Sequence, residues 1–343
     1  MRRPSFKLIL YCFFLILATV SAGLSASLVL GSDRVATAPS AALRDLKTLR
    51  LKASRGDMQA LARLQAAADS GETPAQNELG IYYFQLKQYS AACRWYKKSA
   101  QQGYAGAEYN LAYLYLRGEG TGRDDAKAFA LFAKLARHGD VDAERILGFM
   151  YYDGLGVKRD YRSSFMWNKK AAVHGNVKAE IYLAYQYETG RGTKRNYRRA
   201  FKWFQKAATH GDAGAQNDLG MAYLKGHGTK INNIAAYNWF VRSAKGGNPD
   251  AATNLGLMYK LGIGVGRDYA LAFKWFYTAA SDGDSHSMFL LARLYEKGLG
   301  VRMNAIAARA WLRKAAAAGY GPAKRVLGLL HATPQTQKTG TVR

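Results

Sequence analysis

Three histidines, His138, His174 and His210, recur at intervals of 36 residues, each directly before a glycine. Histidine is a ready metal ligand, but ligation needs about 2 Å from metal to each nitrogen. Residues one structural repeat apart sit roughly 10 Å apart when helical units stack. The spacing therefore predicts three separate side chains near helix C-termini, facing the negative end of the helix dipole. Carboxylates offer no better case for acid–base chemistry. Asp124, Asp160 and Asp268, with Asn196, Asn232 and Asn304, share the same period and read as helix N-caps, their side chains taken up by backbone N–H groups. Arg55-Gly56-Asp57 spells an adhesion tripeptide, yet it falls on a repeat boundary where Gly and Asp serve as caps. Cys93, the one thiol after residue 31, lies in a helical stretch and reads as packed. No catalytic residue, metal site or cofactor is expected.

The elements that position these residues follow from four ladders. Glycine stands at 103, 139, 175, 211, 247, 283 and 319, every interval being 36. Gly118, Gly154, Gly190, Gly226, Gly262 and Gly298 form a second ladder, each with another glycine two residues on. The Asp/Asn caps make the third. The fourth holds all six tryptophans, Trp95, Trp167, Trp203, Trp239, Trp275 and Trp311. Between the first glycine and the Gly-x-Gly, apolar residues recur at i, i+4 and i+8, as in Ala143, Leu147 and Tyr151, which is one helical face. The Gly-x-Gly supplies positive-φ positions for a tight turn. A second helix follows, with Ala200, Trp203 and Ala207 expected on its buried face. Small residues at Gly148, Ala184, Gly220 and Gly256 let the two helices approach closely. Such a helix-turn-helix unit cannot bury its faces alone and must stack. With only six prolines, the composition agrees with an all-α chain.

The motif Ala-x3-Leu-Gly-x-x-Tyr-x-x-Gly-x-Gly-Val-x-x-Asp-Tyr, nearly whole at 143–161 and again at 251–269, resembles the Sel-one-like repeat (SLR) family, a relative of the tetratricopeptide repeats. It continues as Ala-x-x-Trp-Phe-x-Lys-Ala-Ala-x-x-Gly at 200–211. The likeness covers about 70–320 and implies a right-handed α-α superhelix of about seven units with capping helices. One unit departs from it: Gly71 to Gly103 spans only 32 residues and turns on Leu86-Lys87-Gln88-Tyr89, without Gly-x-Gly. Some cysteine-rich relatives are associated with β-lactam hydrolysis. This chain lacks their paired cysteines and any Ser-x-x-Lys, so a hydrolase is the weakest of the functional alternatives.

Domain boundaries are expected at 1–31, 32–56, 57–331 and 332–343. Arg2, Arg3 and Lys7 precede a run from Leu8 to Gly31 without a charge, which reads as a cleaved signal or a retained membrane tether. Either way the body is exported, to the periplasm, the periplasmic face of the inner membrane, or beyond. Residues 32–56 read as a linker and a basic helix of undetermined docking. The solenoid occupies 57–331, and 332–343 read as a disordered tail.

Function then has to lie in what the ladders leave free. The resemblance implies that the first helix of each unit lines a concave groove. That places Tyr109, Tyr113, Phe149, Tyr152 and Tyr185 in an aromatic strip for a peptide or acidic segment, with Arg117 and Arg145 as charge clamps. The alternative is that these side chains merely pack against the next unit. The net charge of +26 biases the chain toward anionic partners. Arg191, Lys194, Arg195, Arg198, Arg199, Lys202 and Lys206 form its densest run, with no acid among them. Export disfavours nucleic acid, leaving anionic polysaccharide, lipid head groups or an acidic protein. A monomeric envelope adaptor that assembles or regulates an envelope complex is the expected role; a binder of anionic glycan or lipid is the rival.

Overall fold

The computed structural model describes residues 40–332. The leader at 1–31, and the tail apart from residue 332, lie outside the described residues. Among the described residues there are seventeen α-helices and no strand. Helices α1 (Ala41–Ala53) and α2 (Met58–Asp69) precede seven pairs: α3 (Thr73–Gln85) and α4 (Tyr89–Gln101); α5 (Ala105–Arg117) and α6 (Asp125–Arg137); α7 (Val141–Asp153) and α8 (Tyr161–Val173); α9 (Val177–Thr189) and α10 (Tyr197–Thr209); α11 (Ala213–Lys225) and α12 (Asn233–Lys245); α13 (Pro249–Leu261) and α14 (Tyr269–Ser281); α15 (Ser285–Lys297) and α16 (Ala305–Ala317). Helix α17 (Gly321–Ala332) ends the series. Contacts divide the chain into two compact units, Met1–Ala179 and Glu180–Arg343, each built on this same plan.

The caps fall where the ladders put them. Asp124 Oδ1 accepts from the Lys127 N–H at 2.9 Å to start α6, and Asp140, directly after the ladder glycine Gly139, accepts from the Ala143 N–H at 2.7 Å to start α7. First helices end on left-handed glycines; the Gly154 N–H donates to the Met150 carbonyl at 2.8 Å with φ of 78°. The short pair α3–α4 solves its turn differently. Lys87 takes φ of 59°, the one non-glycine residue with positive φ among the described residues.

The second glycine of each Gly-x-Gly does more than turn the chain. A Cβ on Gly156 would lie 2.0 Å from the Asp125 carbonyl oxygen, and one on Gly228 would lie 2.2 Å from that of Tyr197. These oxygens belong to the start of the preceding pair's second helix. The turn thus seats its backbone directly on the previous repeat, which no side chain permits.

Within most pairs the core is built from small residues facing one ring; Asn168 takes the ring's place in α7–α8 and Leu312 in α15–α16. In the first unit Ala107, Leu111 and Leu114 meet Ala128, Phe132 and Ala136. In the second, the core runs on across the seam between pairs, Ala236 and Phe240 of α12 joining Ala251, Leu255 and Met258 of α13. The residue after each tryptophan, rather than the tryptophan, fills this core. Phe204 is buried with Ala200 and Ala207, whereas Trp203 is only half-buried, correcting the expected buried face. The spacing 200, 204, 207 is the inward i, i+4, i+7 stripe, one residue off from the Trp ladder. The small position opposite exists for that ring: a Cβ on Gly220 would come within 2.7 Å of Phe240, and one on Gly256 within 2.5 Å of Phe276. Tryptophan instead covers the seam between repeats, Trp275 against the α12–α13 cluster and Trp311 against the α14–α15 cluster. A cation one turn on lies over several of these rings, 4.7 Å for Arg242 on Trp239 and 4.4 Å for Lys314 on Trp311.

Helix α1, undetermined from sequence, is docked. Leu46 and Ala53 pack with Leu64 and Leu79, and buried Arg50 donates from Nε to Glu78 Oε2 at 2.6 Å. Cys93 is buried, as its setting suggested, and burial pushes its thiol pKa up.

Gly228→Ala must both adopt left-handed φ and displace a backbone oxygen, so it should cost about 3 kcal/mol or more. Gly211→Ala keeps a φ of 89° but meets nothing within 4 Å, so only the conformational cost of about 1–2 kcal/mol should appear. Urea unfolding followed by circular dichroism separates the two; equal losses would remove the seating role of the second glycine.

Candidate partner-binding surfaces

In the first unit, α7 presents Arg145, Phe149 and Tyr152 at i, i+4 and i+7, and all three are half-buried. Tyr152 meets Tyr161 edge to face at 5.0 Å. Arg145 lies close enough to Tyr109 and Tyr113 to act on both phenols, and it forms no ion pair among the described residues. Two members of the expected strip are not open. Tyr109 and Tyr113 are buried, 6% and 3% exposed, and Tyr109 packs edge to face on Phe132 at 5.5 Å. Burial pushes both phenol pKa values up. Their place as contact residues is therefore corrected to that of the floor beneath α7. Arg117 is tied down locally, donating from Nη1 to Tyr113 Oη at 3.2 Å and pairing with Glu119 at 2.8 Å.

In the second unit, half-buried Tyr185 stacks edge to face on Phe204 and donates its hydroxyl to Asp218 Oδ2 in a short hydrogen bond. Shielding from water pushes the Asp218 carboxyl up to about 7, against the opposing effect of the Tyr185 bond and with help from Glu188, Asp250 and Asp212. Sequence reading passed over Asp218, which belongs to none of the ladders.

The basic run also lies in the second unit. Lys194, Arg195, Arg198, Arg199 and Lys202 are exposed, and Arg191 is half-buried. Arg195 lies over Tyr197 at 5.4 Å and Arg199 over Tyr187 at 5.6 Å. Lys206 stands apart from the run, half-buried and paired with Glu180 at 2.7 Å while lying over Trp203.

That pair belongs to a ladder not read from sequence. Glu108, Glu144 and Glu180 are buried at 36-residue spacing, and Lys134, Lys170 and Lys206 reach them at 2.5, 2.8 and 2.7 Å. His174 and His210 reach the second oxygens of Glu144 and Glu180 at 3.2 and 3.3 Å. His138 instead sits at 2.8 Å from the Lys134 carbonyl. The histidines are thus held singly, two of them by carboxylates rather than by the helix end alone. The Glu–Lys spacing of 26 residues, repeated three times, was the available signal. Among the described residues no cluster of three His, Cys, Asp or Glu could hold a metal, and no helix is long and apolar enough to cross a membrane.

Asp218 carries a pH signature. Unfolded, its carboxyl titrates near its ordinary 3.8; folded, near 7. The folded chain holds the extra proton between these values, so this group's contribution to stability falls as pH rises from about 4 to 7 and stays lost above. Asp218→Asn should therefore raise Tm at pH 8 by about 3 °C or more and leave it nearly unchanged at pH 4. An equal shift at both pH values would contradict the raised carboxyl pKa of this half-buried residue.

The Sel1 repeat profile matches residues 73–104, 105–140, 141–176, 177–212, 213–248, 249–284 and 285–320. No curated protein matches. Among solved structures, a protective antigen of uropathogenic Escherichia coli with an SLR fold is 36% identical, with a TM-score of 0.72, over 79% of this chain and 59% of the antigen. The chain thus spans about six-tenths of that relative's length. A Sel1 repeat protein from Oxalobacter formigenes is 30% identical, with a TM-score of 0.65, over 70% of this chain and 96% of its own. Sel1 repeat proteins are in general protein-interaction scaffolds and non-catalytic. Seven profile matches in register with seven helix pairs place this chain in the Sel1 repeat family.

Proposed function

We propose that this chain is a non-enzymatic adaptor of the bacterial cell envelope that holds a segment of a partner protein against its first-helix surface. The observation that carries this reading is Arg145, a half-buried guanidinium without an ion-pair partner among the described residues, on one helical face with Phe149 and Tyr152. Aromatic rings beside a half-desolvated arginine are what an acidic or carboxylate-bearing peptide requires. Neither Arg145 nor Phe149 belongs to the glycine, cap or tryptophan ladders. Placement in the envelope rests on the charge-free run from Leu8 to Gly31 behind a basic start.

A second reading is supported by a separate observation. Arg195, Arg198 and Arg199 are exposed and lie in a stretch without an acid, a setting for an anionic surface.

Photo-crosslinking in intact cells tests the first reading. A benzophenone side chain at Phe149 should give a discrete protein adduct, whereas the same group at exposed Met166 on α8 should not. Arg145→Glu should cut the adduct by about tenfold. Identical patterns from both positions would refute the proposed face. For the second reading, Arg195→Glu with Arg198→Glu should abolish retention on an anionic matrix that salt otherwise weakens; unchanged retention would refute it.

A further inference from the structure

Of five large aliphatic side chains exposed among the described residues of the second unit, Leu261 ends α13, and the other four stand at helix starts: Ile231 is 65% exposed, Ile234 66%, Met303 70% and Ile306 85%. They are not scattered. Ile231 and Met303 precede the caps of α12 and α16, Ile234 and Ile306 follow them by two, and the pairs are 72 residues apart, two repeats in register. The equivalent positions of the other second-unit repeats are Arg195 with Arg198 and Arg267 with Ala270.

Close backbone seating brings these positions onto one edge. Gly228 sits on Tyr197 at the start of α10, Gly264 on Asn233 at the start of α12, and Gly300 on Tyr269 at the start of α14. Turn stacks on helix start, repeat after repeat, so the order along the edge is basic, aliphatic, basic, aliphatic. Lys230, Arg302 and Arg309 add exposed cations beside the aliphatic pairs and form no ion pair among the described residues. In the four segments 190–202, 226–238, 262–274 and 298–310 the one carboxylate is Asp268, which is occupied in capping α14 at 2.9 Å.

Exposed aliphatic tips set among cations match one kind of surface better than others. A glycan or an acidic protein satisfies the cations and leaves the aliphatic tips in water. An anionic bilayer satisfies both, phosphate groups meeting the arginines while the tips enter the acyl boundary. We infer that this edge of the second unit docks on an anionic lipid bilayer, with Ile231, Ile234, Met303 and Ile306 inserted between flanking Arg and Lys side chains. The inference rests on the basic-edge reading above and is independent of the peptide face on α7.

The test uses a reporter at the edge, so that any membrane affinity of residues 8–31 does not enter it. In the full chain carrying Cys12→Ser, Ile306→Cys is labelled with nitrobenzoxadiazole; buried Cys93 is left in place. On vesicles with about one third phosphatidylglycerol the label should shift to the blue and become accessible to quenchers within the bilayer. A label at Ser281→Cys, exposed at the other end of α14, should not respond. Arg195→Glu with Arg198→Glu should weaken the response about tenfold or more, as should high salt. The inference would be overturned by a response equal on neutral vesicles, by equal responses at the two labels, by a concentration-dependent shift without vesicles, which would mean self-association, or by no response at all. Charge-dependent retention on an anionic matrix with an unresponsive label would leave the basic edge standing and remove the bilayer.

Discussion

The repeat plan depends on one backbone-to-backbone contact. Where the turn between the helices of one pair meets the start of the preceding second helix, the carbonyl oxygen stands 2.0–2.2 Å from where a Cβ would be on Gly156 and Gly228. Hydrogen is all that fits there. Because the contact involves backbone atoms, it has little freedom to vary, and side chains around it are set at fixed intervals. Rings, caps and seam residues then fall into register with it. Phe240 finds Gly220 and Phe276 finds Gly256 because the distance from turn to core is the same in both pairs.

This explains which parts were legible in the sequence. Positions fixed by backbone geometry have few residue types open to them: glycine where φ is positive, Asp or Asn where a helix must be capped. Such constraints print themselves as ladders, and the helix pairs, caps and turns follow from them. Positions fixed by side-chain packing are less legible because several residue types serve. The tryptophan ladder was conspicuous, so it was assigned to the core, when the quieter Phe beside it does that work. The same asymmetry affected the surfaces. Tyr113 is chemically suited to binding, yet its first-helix position is 3% exposed, and only burial distinguishes it from Phe149 at the equivalent site one repeat later.

Charge is distributed between two roles that sequence counting merges. Part of the basic excess is structural: Lys134, Lys170 and Lys206 neutralise buried glutamates, and several cations lie on tryptophan faces. These are of little use to a partner. Other cations stand free of such roles; Arg195, Arg198 and Arg199 are exposed at a helix start in the second unit, where the helix dipole adds partial positive charge. The first unit exposes cations too, Arg94, Arg159 and Arg162 among them, whereas Arg145 is half-buried and forms no ion pair among the described residues. A solvated row and a shielded point charge suit different ligands, the first an extended anionic surface and the second one carboxylate at a defined place.

The turn at Lys87 has a consequence for the direction of the series. Its left-handed lysine closes the α3–α4 pair without the Gly-x-Gly by which later pairs seat themselves on a predecessor. A unit closed in this way offers a seat to the next turn, Gly120 lying against the Tyr89 carbonyl, but makes no such contact through a glycine of its own. It therefore gives the series a direction, each later turn seating on an earlier helix start. The seats at Gly228, Gly264 and Gly300 then follow at steps of 36 residues, so an insertion of any other length between two of them would break the register of every contact after it.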